Sequence, residues 1–255
     1  LWVYKLKYLI LLLLLVFVAC GCGRTTFRIV EPTQQLREED ASADFAEEIM
    51  LSLLAVRRNM NTGIIGSGIL VEIDGLPHMM TALHVIDHMI REDRPYKDAA
   101  CHIDVYTGEE DCADIYLGPG FEQMVRVDRS TDAALVPLSH YPEGAQPVDL
   151  ATPGHRFRIG EELWIIGCPT GAPNIVTRGI LSGHADGVGG RFAGALFTDS
   201  DVWFGTSGGG VFLASGEYVG YIRAMVGSRT PSGREIAEGL NIFSPLPEGW
   251  RLLSR

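Results

Sequence analysis

Gly205-Thr206-Ser207-Gly208-Gly209 sets a serine among glycines, and its chemistry depends on what precedes it. A serine hydroxyl becomes a nucleophile only where a base takes its proton and backbone N–H groups receive the oxyanion. Upstream lies Thr81-Ala82-Leu83-His84-Val85, an imidazole at the end of an apolar run. Between the two lies Ser130-Thr131-Asp132-Ala133-Ala134-Leu135-Val136, a carboxylate opening another such run. The order along the chain is therefore His84, Asp132, Ser207. A Gly-x-Ser-x-Gly stretch also marks the nucleophile elbow of α/β-hydrolases, but there the histidine follows the serine. All seven histidines of this chain precede Ser207, which excludes that architecture.

Each segment alone has a plainer reading. A serine among glycines is usually a flexible loop, and a histidine on an apolar run is usually a core or surface residue. An aspartate before an apolar run is usually a turn or cap residue. Together, in this order, the three carry a specific signal for a Ser-His-Asp hydrolase of the chymotrypsin-type order. His84 and His88 are also spaced to bind zinc from a helix, but Val85 stands where a His-Glu-x-x-His metalloprotease needs its glutamate. No metal and no cofactor are expected.

At 255 residues and 46% hydrophobic content, the chain can bury a full-sized core in one or two compact units. The net charge of −11 comes from scattered acids, which reads as solubility. No basic stripe or aromatic-interleaved patch is present, so nucleic acid is not an expected partner. Short apolar or alternating runs recur between turn signals: Ile64–Ile73, His78–Ile86, His102–Tyr106, Met124–Val127 and Ala133–Leu138, then Leu163–Ile166, Ile175–Leu181, Ala195–Thr198, Val211–Ala214, Tyr218–Val226 and Leu240–Phe243. Many short strands with Gly/Pro punctuation argue for a barrel or sandwich. Asp74-Gly75 and Ser215-Gly216 suit hairpin turns. The segment from His140 to Phe157, with Pro142, Pro147 and Pro153, reads as a crossover between two halves.

Residues 1–22 read as an export segment. Lys5 and Lys7 precede an uninterrupted apolar run from Leu9 to Ala19, shorter than the roughly 20 residues a membrane helix needs. The run ends in Phe17-Val18-Ala19-Cys20, which resembles a bacterial lipoprotein processing site and makes Cys20 the expected acylated N-terminus. An uncleaved anchor and ordinary secretion are the alternatives. Residues 23–44 read as a polar tether, and Phe45 to Val56 as a short amphipathic helix running into the first strand. Export permits a disulfide, with Cys101 and Cys112 as the candidate pair across a polar turn at 107–111. Cys168 reads as a packed free thiol.

Further segments carry a family resemblance. Gly66-Ser67-Gly68-Ile69-Leu70, Ile166-Gly167-Cys168-Pro169-Thr170-Gly171, Val176-Thr177-Arg178-Gly179-Ile180-Leu181-Ser182 and Thr198-Asp199 resemble motifs of the trypsin/chymotrypsin-like serine proteases, most closely the bacterial HtrA/Deg group. The resemblance covers roughly residues 50 to 247 and stops where that group's PDZ domains would begin. It implies an all-β fold of two six-stranded antiparallel β-barrels. His84 and Asp132 would come from the first (about 50–140) and Ser207 from the second (about 155–247), with catalysis in the cleft between. The resemblance further implies that the backbone N–H groups of Gly205 and Ser207 form the oxyanion hole. Thr206 stands where trypsin-type enzymes carry the aspartate that pairs with a new N-terminus, so activation by that ion pair is not expected. Asp201, Arg223 and Met225 fall where the substrate pocket is expected. An ionised Asp201 would select Arg or Lys, whereas HtrA-like pockets take small aliphatic side chains. The expected activity is an exported, lipid-anchored serine endopeptidase of the cell envelope, acting on proteins or peptides. The alternative is a catalytically silent protease-fold module that binds partners.

Overall fold

The structure, a computed structural model, describes residues 42–58, 63–91, 98–115, 125–151, 155–185, 192–229 and 235–247. The export segment, Cys20, Cys22 and nearly all of the tether lie outside the described residues. The tether's last residues, 42–44, instead form the first turn of a helix, α1 (42–50). Asp44 there suits the helix dipole, and Ile49 and Phe45, four apart, share its apolar face. Phe45 meets Trp164 edge-on with ring centroids 5.1 Å apart. Ser52 Oγ donates to the Ile49 carbonyl at 2.7 Å, where the helix stops.

Two antiparallel sheets follow. The first comprises β1 (Leu53–Arg57), β2 (Ile64–Ile73), β3 (Leu76–Ala82), β4 (Ala99–Ile103), β5 (Glu110–Asp114), β6 (Arg126–Asp128) and β7 (Ala133–Pro137). The second comprises β8 (Glu162–Gly167), β9 (Ile175–His184), β10 (Leu196–Thr198), β11 (Gly210–Leu213), β12 (Tyr218–Arg229) and β13 (Glu235–Pro245). The second sheet is a closed six-stranded barrel in the order β10-β13-β12-β11-β8-β9, as expected. The first departs from expectation: it is a seven-stranded sheet in the order β5-β4-β1-β2-β3-β7-β6. The chain just after β5 meets the chain just after β7, where an isolated bridge joins Ile115 to Leu138 and the Asp114 amide donates to Ser139 Oγ at 3.0 Å. β6 is a short, largely exposed edge beside the fully buried β7. The charged residues Glu110 and Asp111 belong to β5 rather than to a turn, because an edge strand tolerates charge. Glu110 pairs with Arg57 at 2.7 Å.

Asp74 (φ 53°) and Gly75 (φ 75°) both take left-handed backbone, as the two-residue β2–β3 hairpin requires. The crossover is stitched to both sheets. The Val148 amide donates to Leu70 O at 3.1 Å, and the Ala151 amide to Tyr218 O at 3.0 Å. One core cluster runs through both halves, with Leu54, Ile69 and Leu70 of the first packed together with Trp164, Phe212 and Tyr221 of the second. This apolar seam fixes the two sheets against each other, and the candidate site forms along it.

Candidate active site

His84 does not sit on a strand. The apolar run expected to stay extended to Ile86 breaks at Ala82 and becomes α2 (Leu83–Arg91). Leu83, Ile86 and Met89 are buried at a spacing of three, which suits a helix face. The first amides of a helix have no partner within it. Here Asp132 supplies one: its carbonyl accepts the Leu83 amide at 2.7 Å and its Oδ1 accepts the His84 amide at 3.0 Å. The cap comes from β7's approach rather than from a neighbour in sequence, so local reading missed the helix.

The other carboxylate oxygen, Oδ2, lies 2.7 Å from His84 Nδ1. A carboxylate only accepts, so Nδ1 carries the proton, and in the neutral imidazole Nε2 keeps the lone pair. The His84 side chain is 48% exposed and that of Asp132 20%. Asp132 itself holds φ 61°, a strained conformation that short polar side chains tolerate. Its turn is clamped from both ends. Asp128 Oδ1 accepts the Ser130 amide at 2.8 Å, Ser130 Oγ at 2.6 Å and the Thr131 amide at 3.3 Å. Burial pushes the Asp128 carboxyl up, but these donors outweigh it and hold the group below the usual carboxylate range. From the second barrel, Tyr221 OH donates to Thr131 O at 2.8 Å and Ser244 Oγ to the same oxygen at 3.2 Å. Burial pushes the Tyr221 phenol up to about 12, so it remains a neutral donor.

The loop bearing Ser207 reaches this place through Ser67, a fully buried residue of β2. The Ser67 amide donates to Ser207 O at 2.8 Å. Its hydroxyl donates to Gly205 O at 2.7 Å and accepts the Cys168 amide at 2.9 Å. Thr81 Oγ1 donates to Ser67 O at 2.6 Å, and Gly208 lies against Thr81 and Ala82. The Ser207 loop therefore abuts the strand end that leads into His84. Among the described residues His84 and Ser207 are not hydrogen-bonded to each other. Such bonds often tighten only around substrate.

Both proposed oxyanion donors have their direction set by the carbonyl across the same peptide. In a trans peptide C=O and N–H point opposite ways. Phe204 O accepts the Thr170 amide at 2.5 Å, which turns the Gly205 N–H away from that partner. Thr206 O accepts the Gly209 amide at 2.7 Å, which does the same for the Ser207 N–H. Among the described residues no acceptor takes either N–H. Gly205 holds φ 98°, and a β-carbon there would collide with the Cys168 carbonyl. Cys168 is a buried free thiol pushed up to about 11 by burial, which leaves it protonated and unreactive.

The three pocket candidates separate. Asp201 is exposed, and its carbonyl accepts Thr177 Oγ1 at 3.0 Å. Met225 is half-buried and packs on the core of the second barrel. Arg223 is buried on β12, and its Nε lies 3.8 Å from Asp132 Oδ2. Sequence reasoning also missed the exposed Trp203 and Phe204, which lead straight into Gly205.

Cys101 and Cys112 face each other across β4 and β5 and are joined by a disulfide. Cys101, Glu110 and Cys112 bring three potential metal ligands within 4.8 Å, but the sulfurs are bonded to each other and Glu110 is held by Arg57. His84 and His88 likewise face different partners, with His88 Nε2 3.0 Å from Asp98 Oδ2.

Comparison with known proteins agrees with this architecture. The chain is 26% identical over 193 residues to protease Do-like 5, chloroplastic, of Arabidopsis thaliana. That match covers 73% of this chain and 55% of the relative, so the chain spans about half of the relative's length. The crystal structure of Deg5 superposes with a TM-score of 0.61 at 20% identity, covering 88% of this chain and 95% of that one. The model of the trypsin-like peptidase domain matches residues 66–220, more than half of the chain. The chain belongs to the family of trypsin-like peptidase domains.

Proposed function

We propose that this chain is a serine endopeptidase in which Ser207 attacks the scissile carbonyl, His84 is the base and Asp132 orients it. One observation carries the reading: the 2.7 Å contact between His84 Nδ1 and Asp132 Oδ2, which leaves Nε2 as the free base. His84 Nε2 takes the Ser207 proton as the acyl bond forms and returns it to the leaving amine. The Gly205 and Ser207 amides receive the oxyanion, and water then repeats the sequence on the acyl-enzyme. A preorganised donor of this kind is worth about 3–4 kcal/mol of barrier. Protein chains of the cell envelope are the proposed substrates. The basic residues Lys5 and Lys7, the apolar run to Ala19 and the Ala19-Cys20 junction support an exported protein anchored through lipid on Cys20.

Purified protein incubated with an unfolded protein such as β-casein tests the activity. Wild type should release fragments, and S207A and H84A should release none. Binding of casein without any cleavage would favour a catalytically silent module instead. Intact mass of the mature N-terminus tests the anchor: an unmodified Cys20 would refute it.

A further inference from the structure

Trp203 and Phe204 stand in solvent, 54% and 66% exposed, immediately before Gly205. A single exposed apolar side chain is ordinary on a protein surface. Here two adjacent aromatics ride on a backbone that is held at both ends. Val202, just before them, is buried in the core of the second barrel, and Thr206 is buried two residues after Phe204. The Thr206 amide donates to Trp203 O at 3.0 Å, and the Trp203 amide donates to Thr206 Oγ1 at 3.4 Å. Phe204 O accepts the Thr170 amide from the turn that follows β8. The two rings are therefore exposed on an ordered turn. Aromatic side chains carried in this way offer apolar area at little cost in ordering.

We propose that Phe204, with Trp203 beside it, selects substrates that carry a large apolar side chain at one of the two residues sharing the scissile bond. The inference rests on the reading of Gly205 and Ser207 given above. An oxyanion donor sits about 3 Å from the oxygen it receives, and consecutive Cα atoms are about 3.8 Å apart. A substrate carbonyl at the Gly205 N–H therefore brings the residues on both sides of its peptide bond within a side chain's length of Phe204. A large apolar group at either residue covers the ring and takes both surfaces out of water. Serine or glycine there leaves the ring wet, and a carboxylate loses hydration against it without gaining a partner.

The experiment digests a mixture of denatured proteins with wild type, F204A, F204L and F204K, and maps the residues flanking every cut by mass spectrometry. Wild type should cut about 10-fold more often where Phe, Tyr, Leu or Met adjoins the bond than where Ser or Gly does. F204A should lose most of that ratio, and F204L should keep it to within about threefold, because leucine retains apolar area. F204K should turn the preference at the same position toward Asp or Glu. A ratio taken within each variant cancels any loss of folded protein or of oxyanion support. Wild type without an apolar preference, or an F204A preference equal to that of wild type, would overturn the proposal. A preference for Arg or Lys that F204A abolishes would overturn it too, since the ring would then be serving a cation. If F204A does not fold, F204K decides: an unchanged apolar preference there refutes the idea. A wild-type chain that cuts nothing and takes no fluorophosphonate would instead sink the hydrolase reading, and this one with it.

Discussion

Ser67→Ala separates the support of the Ser207 loop from its proposed chemistry. The Ser67 hydroxyl joins β2 to two segments of the second barrel, donating to Gly205 O at 2.7 Å and accepting from the Cys168 amide at 2.9 Å. Alanine leaves a buried amide and a carbonyl without these partners. Each orphaned group costs about 1–3 kcal/mol, so a loss of about 2–4 kcal/mol is expected once partial rehydration of Gly205 O is allowed for. For a domain of this size that is a fall in Tm of about 5–12 °C. The Ser67 backbone bonds to Ser207 and Thr81 survive, so the loop loosens without detaching. The freed peptide between Gly205 and Thr206 lies between the two amides proposed as oxyanion donors. Labelling by a fluorophosphonate should slow by about 10- to 100-fold, part of the cost of losing one donor outright. Differential scanning fluorimetry and a labelling time course measure the two effects. An S67A variant that melts and labels like wild type would show that Ser67 does not organise the loop.

Other perturbations follow from the same geometry. G205A must relieve a collision with the Cys168 carbonyl from a backbone at φ 98°, so it should fold poorly or fail to label. Cys168, raised to about 11 by burial, should react with a thiol reagent at pH 8 at least about 100-fold more slowly in the native than in the unfolded chain, and comparable rates would contradict its burial. Asp128 is held below the ordinary carboxylate range, so its contribution to stability is present above the unfolded value near about 4 and lost as pH falls through the lower folded one. The Tm gap between wild type and D128N should therefore persist at neutral pH and close in strong acid. Because the Asp201 carboxylate is exposed, D201A should leave the cleavage preference in a peptide library unchanged; a wild-type preference for Arg or Lys that vanishes in D201A would refute this.

The second barrel was legible because short apolar or alternating runs such as Ile175–Leu181 and Tyr218–Val226 stand between turn signals; the strands themselves run on to His184 and Arg229. The order of His84, Asp132 and Ser207 likewise needs no long-range information. What escaped the sequence depends on partners distant along the chain. Helix α2 starts where it does because Asp132, 48 residues on, caps it. Ser67 organises a loop 138 residues away, which no local pattern encodes. The place of Arg223 after Ser207 in the sequence does not reveal the carboxylate it faces. Strand β12 brings it toward Ser130 and Asp132, where Phe192 and a carboxylate can pay for burying a guanidinium. β5 was hidden by Glu110 and Asp111, whose charge argues for a turn until the edge position of the strand is known.

The central claim is that Ser207 is activated by His84 and Asp132. The most direct measurement is intact and peptide mass spectrometry after fluorophosphonate treatment of wild type and S207A. Wild type should carry a single adduct mapped to Ser207, and S207A none. A wild-type chain without adduct, or an adduct that persists in S207A, would contradict it.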